Sequence, residues 1–169
     1  MNKKAPLVVP ASFPSDEAKR DFAMKAVYSG YVAEAKPLVE ELVASKPDPI
    51  SYSILGAVKY QESDYQGAMD AWSKAADLDP HLAAEMKNNI GNALRDTKKP
   101  TEAAAAYREA LRLEPTRWTA AINLAVLLKT EGDVASAVKV LEDAVPANKD
   151  VQQLASLLES LRTELKKAS

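Results

Sequence analysis

Apolar residues recur three and four positions apart over short stretches of this chain, and brief polar breaks separate the stretches. The run SYSILGAVKY, the break QESD and the run YQGAMDAWSKAADL, spanning residues 51–78, show the arrangement most clearly. That spacing predicts two amphipathic helices joined by a tight turn, a helical hairpin. Small residues then reveal an internal ruler: Ala23 and Ala35, Gly56 and Ala68, Gly91 and Ala103, and Ala125 and Ala137 all stand twelve residues apart. From one unit to the next the second small residue recurs after 33, 35 and 34 residues. A fixed period of this length marks a repeat array. A bulky apolar residue precedes the first small residue of each unit (Phe22, Leu55, Ile90, Leu124), and another follows the second by four positions (Val39, Trp72, Tyr107, Leu141). The small residues are expected to let paired backbones approach closely, with the large side chain of one helix filling the space beside the other.

Start and stop signals agree with this division. Asp48 followed by Pro49 reads as an N-cap with proline at the first helical position. Pro47, Pro80 and Pro115 each close a second helix, because proline cannot donate to the preceding turn and disfavours helix in the residue before it. Gly30 and Gly132 fall in the break between paired helices, where a left-handed backbone is convenient. The other two breaks carry Ser63 and Lys98, so they need either a different conformation or some strain. Beyond residue 150 the pattern changes. Asp150 and Gln153 suggest a capping box, while Val151, Leu154, Leu157, Leu158, Leu161 and Leu165 form one apolar stripe. Glu159 stands where a small interhelical residue would belong, so a final helix with no partner after it is expected, with Lys166 and Lys167 suited to its end.

These residues resemble the tetratricopeptide repeat. Residues 49–82 carry Tyr52, Leu55, Gly56, Tyr60, Asp64, Tyr65, Ala68, Trp72, Ala75 and Pro80 in that family's order. Residues 84–117 carry Ile90, Gly91, Ala103, Tyr107, Ala110 and Pro115; residues 118–151 keep Leu124, Ala125, Gly132, Asp133, Ala137, Leu141 and Ala144, with Lys149 in place of the closing proline. Residues 16–48 are furthest from the pattern, keeping Phe22, Ala23, Gly30, Tyr31, Glu34, Ala35, Leu42 and Pro47 but placing Pro37 early in the second helix. The resemblance implies an all-α, right-handed solenoid of four helical hairpins (16–48, 49–82, 84–117, 118–151); the residues on either side read as an extended proline-containing segment (1–15) before it and a capping helix and tail (152–169) after it. Function in that family is docking, with a peptide or helix of a partner held on the concave face that the first helices line.

Composition narrows the alternatives. Lysine and arginine number 22 against 24 acids, a net charge of −2, so no general field steers the protein to nucleic acid or an anionic membrane. There is no cysteine, which removes disulfides and thiolate chemistry. His81, the single histidine, sits in a turn beside Pro80, and no metal-ligand spacing, glycine-rich phosphate loop or nucleophile elbow is present, so no cofactor and no catalytic activity are expected. Near the start, Leu7, Val8 and Val9 are too few before Pro10 to form a signal peptide, although a signal already removed would leave no trace. No window reaches the length of a membrane span, which favours the cytoplasm.

Helical geometry locates the candidate groove. Residues three and four apart share a face, so Glu85, Asn88, Asn89, Asn92 and Arg95 form one polar stripe. Ser53, Ala57 and Tyr60 precede it, and Thr119, Ile122, Asn123, Val126 and Lys129 follow. The peptide-binding residues expected on this basis are Ser53, Tyr60, Asn88, Asn89, Asn92, Arg95, Asn123 and Lys129. Asparagine suits the task because its amide both donates and accepts, whatever the ligand's side chains. One subclass is disfavoured: family members that clamp the acidic tails of chaperones use lysines, asparagines and an arginine spread over three repeats. The corresponding residues here are Ser53, Ala57, Asn89, Thr119 and Asn123, or, one repeat earlier, Arg20, Met24, Ile54, Glu85 and Asn89, and most of the cations are missing. Two other readings stay open, a self-assembling homo-oligomeric scaffold and a cargo chaperone of a secretion or pilus system. The segment around Pro6, Pro10 and Pro14 is expected to be extended, lying in its own groove, in a neighbour's, or against the first helix.

Overall fold

A computed structural model describes residue 5 and residues 7–168; residues 1–4 and 6, which include Pro6, lie outside them, as does Ser169. Every regular element among the described residues is a helix, and the chain divides into two compact units, residues 1–80 and 81–169. The first unit holds α1 (Asp16–Tyr28), α2 (Val32–Ser45), α3 (Pro49–Gln61) and α4 (Tyr65–Leu78). The second holds α5 (Ala83–Asp96), α6 (Pro100–Leu113), α7 (Trp118–Thr130), α8 (Val134–Ala144) and α9 (Gln152–Ala168). Consecutive helices pair as hairpins in each unit. First helices also meet, α1 with α3 and α5 with α7, so each hairpin nests against its neighbour within the unit.

The expected nesting through small residues is what builds the core. All eight ruler residues are buried, and so are Val39, Trp72, Tyr107 and Leu141. Where the small residue is glycine, the reason is direct contact: a methyl group on Gly56 would overlap the indole of Trp72, and one on Gly91 would lie 2.5 Å from Tyr107 Cε1. Units with alanine at this position pair it with the smaller Val39 or Leu141. Volume is thus balanced across each hairpin, glycine with an aromatic ring and alanine with an aliphatic chain. With no Cβ between them, the Trp72 indole N–H reaches the carbonyl of Ser53 on α3 at 3.1 Å.

All four turns adopt the same conformation, which settles the expectation about Ser63 and Lys98. Both are left-handed, with φ of 64° and 60°, like Gly30 at 76° and Gly132 at 88°. Each turn makes the paired hydrogen bonds of a Schellman motif, as from Lys98 N to Arg95 O and Lys99 N to Leu94 O. Ser63 and Lys98 therefore carry strain rather than a different turn. Lys98→Gly is expected to stabilise the protein by about 1 kcal/mol, since a side chain in this region costs roughly that much. Urea denaturation would show it as a higher midpoint with unchanged slope.

The N-cap at Asp48 ties two helices together. Its carboxylate accepts the amides of Ile50 and Ser51 at 3.0 Å, the buried Ser51 hydroxyl at 2.6 Å and the Arg20 guanidinium of α1 at 2.9 Å. Burial works against its charge, but Ser51 and Arg20 outweigh burial and hold the carboxyl below its ordinary 3.8. A depressed folded pKa contributes stability that is complete above the unfolded value and is lost as pH falls through the folded one. Asp48→Ala is accordingly expected to cost about 1–2 kcal/mol at neutral pH, with the deficit shrinking below about pH 4. Thermal melts of both proteins across that range would test it.

Two boundaries differ from expectation. α8 ends at Ala144, and a 3₁₀ turn, Val145–Ala147, follows around Pro146 while the Asn148 side chain donates to the Ala144 carbonyl. Pro146, three residues ahead of the family position at Lys149, closes this helix. α9 begins at Gln152, and Asp150 makes no capping hydrogen bond among the described residues. Leu154, Leu158 and Leu161 of α9 are buried while Glu159 stays exposed, as a last helix requires. Ion pairs of Arg162 with Glu142 on α8 and of Glu164 with Lys129 on α7 fasten it.

Candidate functional site

The polar stripe of α5 meets that of α7 inside the second unit. Asn88 is 7% exposed, so it lies in the interior rather than on the open face expected for it. An amide buried this deeply needs partners, and Asn123 of α7 provides them: its Nδ2 donates to Asn88 Oδ1 at 2.9 Å and to Asn92 Oδ1 at 3.2 Å. The Tyr107 hydroxyl of α6 donates to the same Asn92 oxygen at 2.8 Å. Three helices are thus joined through two asparagine carbonyls. Burial pushes the Tyr107 phenol up to about 12, with Asp96 adding to the rise and Arg95 opposing it, so the hydroxyl remains a neutral donor at physiological pH.

This arrangement fixes the orientation of two amides and leaves part of each available. Both hydrogens of Asn123 Nδ2 are committed inward, so its Oδ1 is the free acceptor. Asn92 accepts twice through Oδ1, so its Nδ2 is the free donor; neither atom has another partner among the described residues. Both side chains are half-buried. A fixed donor beside a fixed acceptor matches the C=O and N–H of an extended main chain. Asn89 lies alongside, half-buried, with only a long 3.4 Å contact from Asn88. Val126, 41% exposed, supplies an apolar surface on α7.

The remaining candidates are placed differently. Arg95 is paired with Asp96 at 2.9 Å and Lys129 with Glu164 at 2.8 Å, so carboxylates of the protein itself already match both cations. In the first unit, Ser53 of α3 is half-buried with its carbonyl taken by Trp72, and the Tyr60 ring packs against Tyr65 and Trp72 at 5.5 and 5.8 Å. Reading the sequence missed the part played by Tyr107, which counted only as a core filler. Its signal was a phenol four positions after the second small residue of its unit, where the other units carry valine, tryptophan and leucine.

Helical hairpins nested through small residues, with an amide face on α5 and α7, define an all-α repeat protein. Residues 94–161 match the family model described as tetratricopeptide repeat. The chain is 28% identical over 116 residues to the BBSome complex member BBS4 homolog of Drosophila melanogaster, covering 69% of this chain and 24% of that protein. It is 26% identical over 156 residues to the protein O-mannosyl-transferase TMTC1 of Homo sapiens, covering 88% of this chain and 18% of the other. The chain therefore spans a quarter or less of the length of these curated relatives. Among solved structures, a thermophilic TPR protein of Thermus thermophilus superposes with a TM-score of 0.76 at 20% identity, over 89% of this chain and 82% of that one. The fold is similar to that of this structure, with helical hairpins nested inside each unit. No described helix is long and apolar enough to cross a membrane.

Proposed function

We propose that the second unit docks an extended segment of a partner protein along α5 and α7, holding its main chain through Asn92 Nδ2 and Asn123 Oδ1 without catalysing a reaction. The observation that carries this reading is the fixed orientation of the two amides, each turned by hydrogen bonds to Asn88 and Tyr107 so that a donor and an acceptor face outward. Asn89 and Val126 extend the surface, one polar and one apolar. Arg95 and Lys129 serve as ion-pair partners of Asp96 and Glu164 rather than as ligand contacts, and this supports the exclusion of acidic chain termini, which need unmatched cations. Membership of a related protein in a multi-protein complex agrees with a docking role. Ser53 and Tyr60 of α3 are proposed separately, as a contact surface of the first unit alone.

Panning a random peptide display library on the full chain supplies a ligand with which to test this. An enriched peptide is expected to bind Asn123→Ala about tenfold more weakly, the equivalent of one net hydrogen bond, and Lys129→Glu about as well as wild type. Equal affinity for the wild type and Asn123→Ala would place the ligand elsewhere.

A further inference from the structure

The first unit already holds a peptide. Residues 7–14 carry no charge and include Pro10 and Pro14, which keep them from forming a helix. They lie against α1 and α2 through two apolar anchors six positions apart. Leu7 packs on the buried cluster of Ala23, Ala26, Val27, Ala35 and Val39 and lines a recess of about 200 Å³ together with Phe22, Lys25 and Tyr31. Phe13 packs against Phe22 with the rings tilted and their centroids 5.4 Å apart, and Lys19 lies 6.0 Å from the Phe13 ring centre. The Tyr31 hydroxyl donates to the Ala5 carbonyl at 3.0 Å. Between the anchors, Val8 is 83% exposed and Val9 36%, so the segment touches the hairpin at its two ends and leaves its middle in water. Of the placements expected for this segment, the contacts match the one against the first helix, and they also show what chemistry the face accepts.

We propose that this face of α1 and α2 is a second peptide-docking site, that residues 7–14 are its resident strap, and that a partner segment of the same chemistry displaces the strap. That partner is extended and uncharged, broken by proline, and carries two apolar side chains six residues apart. The strap is suited to release: its apolar hold rests on the two anchors, prolines deny it a hydrogen-bonded ladder, and the Val8 and Val9 surface would gain burial against an incoming protein. Because strap and partner compete for one groove, the strap lowers the partner's apparent affinity by the fraction of time it is closed.

The two phenylalanines of the chain, Phe13 and Phe22, make the test direct. In full-length Leu7→Ala/Phe13→Ala protein grown with fluorophenylalanine, Phe22 gives one fluorine resonance, shifted from its wild-type position by loss of the neighbouring ring. A synthetic peptide with the sequence of residues 7–14 should return that resonance saturably to the wild-type position, while a peptide with alanine at both anchors should leave it unmoved. A fluorescently labelled copy should bind the double variant about tenfold more tightly than the wild-type chain, whose own strap competes. A Phe22 resonance indifferent to the peptide, an alanine peptide equally active, or equal binding to variant and wild type would each overturn the proposal. If the double variant fails to fold, the Phe13→Ala chain, which retains Leu7, carries the same measurements, and the same results support or overturn the proposal.

Discussion

Gly91→Ala is expected to destabilise the protein by about 2–3 kcal/mol, although alanine favours helix over glycine by about 1 kcal/mol. The added methyl would lie 2.5 Å from Tyr107 Cε1, and the ring cannot yield because it is fully buried and its hydroxyl is held by Asn92. A displaced ring also loosens Asn92 and, through it, Asn123, so peptide affinity should fall together with stability. The hairpins at Ala23 and Ala125 indicate the remedy, since alanine there faces Val39 or Leu141. Tyr107→Leu in the Gly91→Ala background should recover most of the stability and none of the amide orientation. A double-mutant cycle in urea gives the coupling, and additive effects would refute the volume rule.

Trp72→Ala should cost more, about 3–5 kcal/mol, the range for deleting a large buried aromatic. The indole is 3% exposed, lies on the bare backbone at Gly56, donates to Ser53 and packs against Tyr60. Nothing else in the hairpin fills that volume. A domain of this kind is stable by about 5–15 kcal/mol, so the loss should be visible as a large drop in the urea midpoint followed by circular dichroism. A change below about 1 kcal/mol would mean that the hairpin collapses onto the cavity, and the rigid nesting described above would not hold.

The nesting was legible in the sequence because it depends on residue size at a fixed spacing, and spacing survives without coordinates. The same is true of the cap at Asp48 and of the stripe on α9. The turn at Lys98 was half legible: the position was evident, but which of two outcomes applied depended on whether the hairpin could impose left-handed backbone on a lysine, and tertiary packing decided that. Pro146 escaped notice because the family pattern draws the eye to residue 149. The asparagines were found as a stripe, yet helical geometry alone treats every residue on a stripe as equally outward. Asn88 turned inward because α7 offers it Asn123 across the helix contact, a partner 35 residues away. Long-range pairing of this sort also engages Lys129, through Glu164 on a helix read only as a cap. Local patterns carry the fold; the orientation of the amides is set by contacts that no local pattern contains.

The central claim is that Asn92 and Asn123 recognise a main chain, and N-methyl scanning of a bound peptide tests it most directly. Methylating one backbone nitrogen at a time removes the donor to Asn123 Oδ1 without altering side chains. The account predicts that one methylated position weakens binding to the wild type about tenfold but has no further effect on Asn123→Ala, while replacement of the side chain at that position is tolerated. Uniform tolerance of methylation, with loss of binding confined to side-chain replacements, would contradict it.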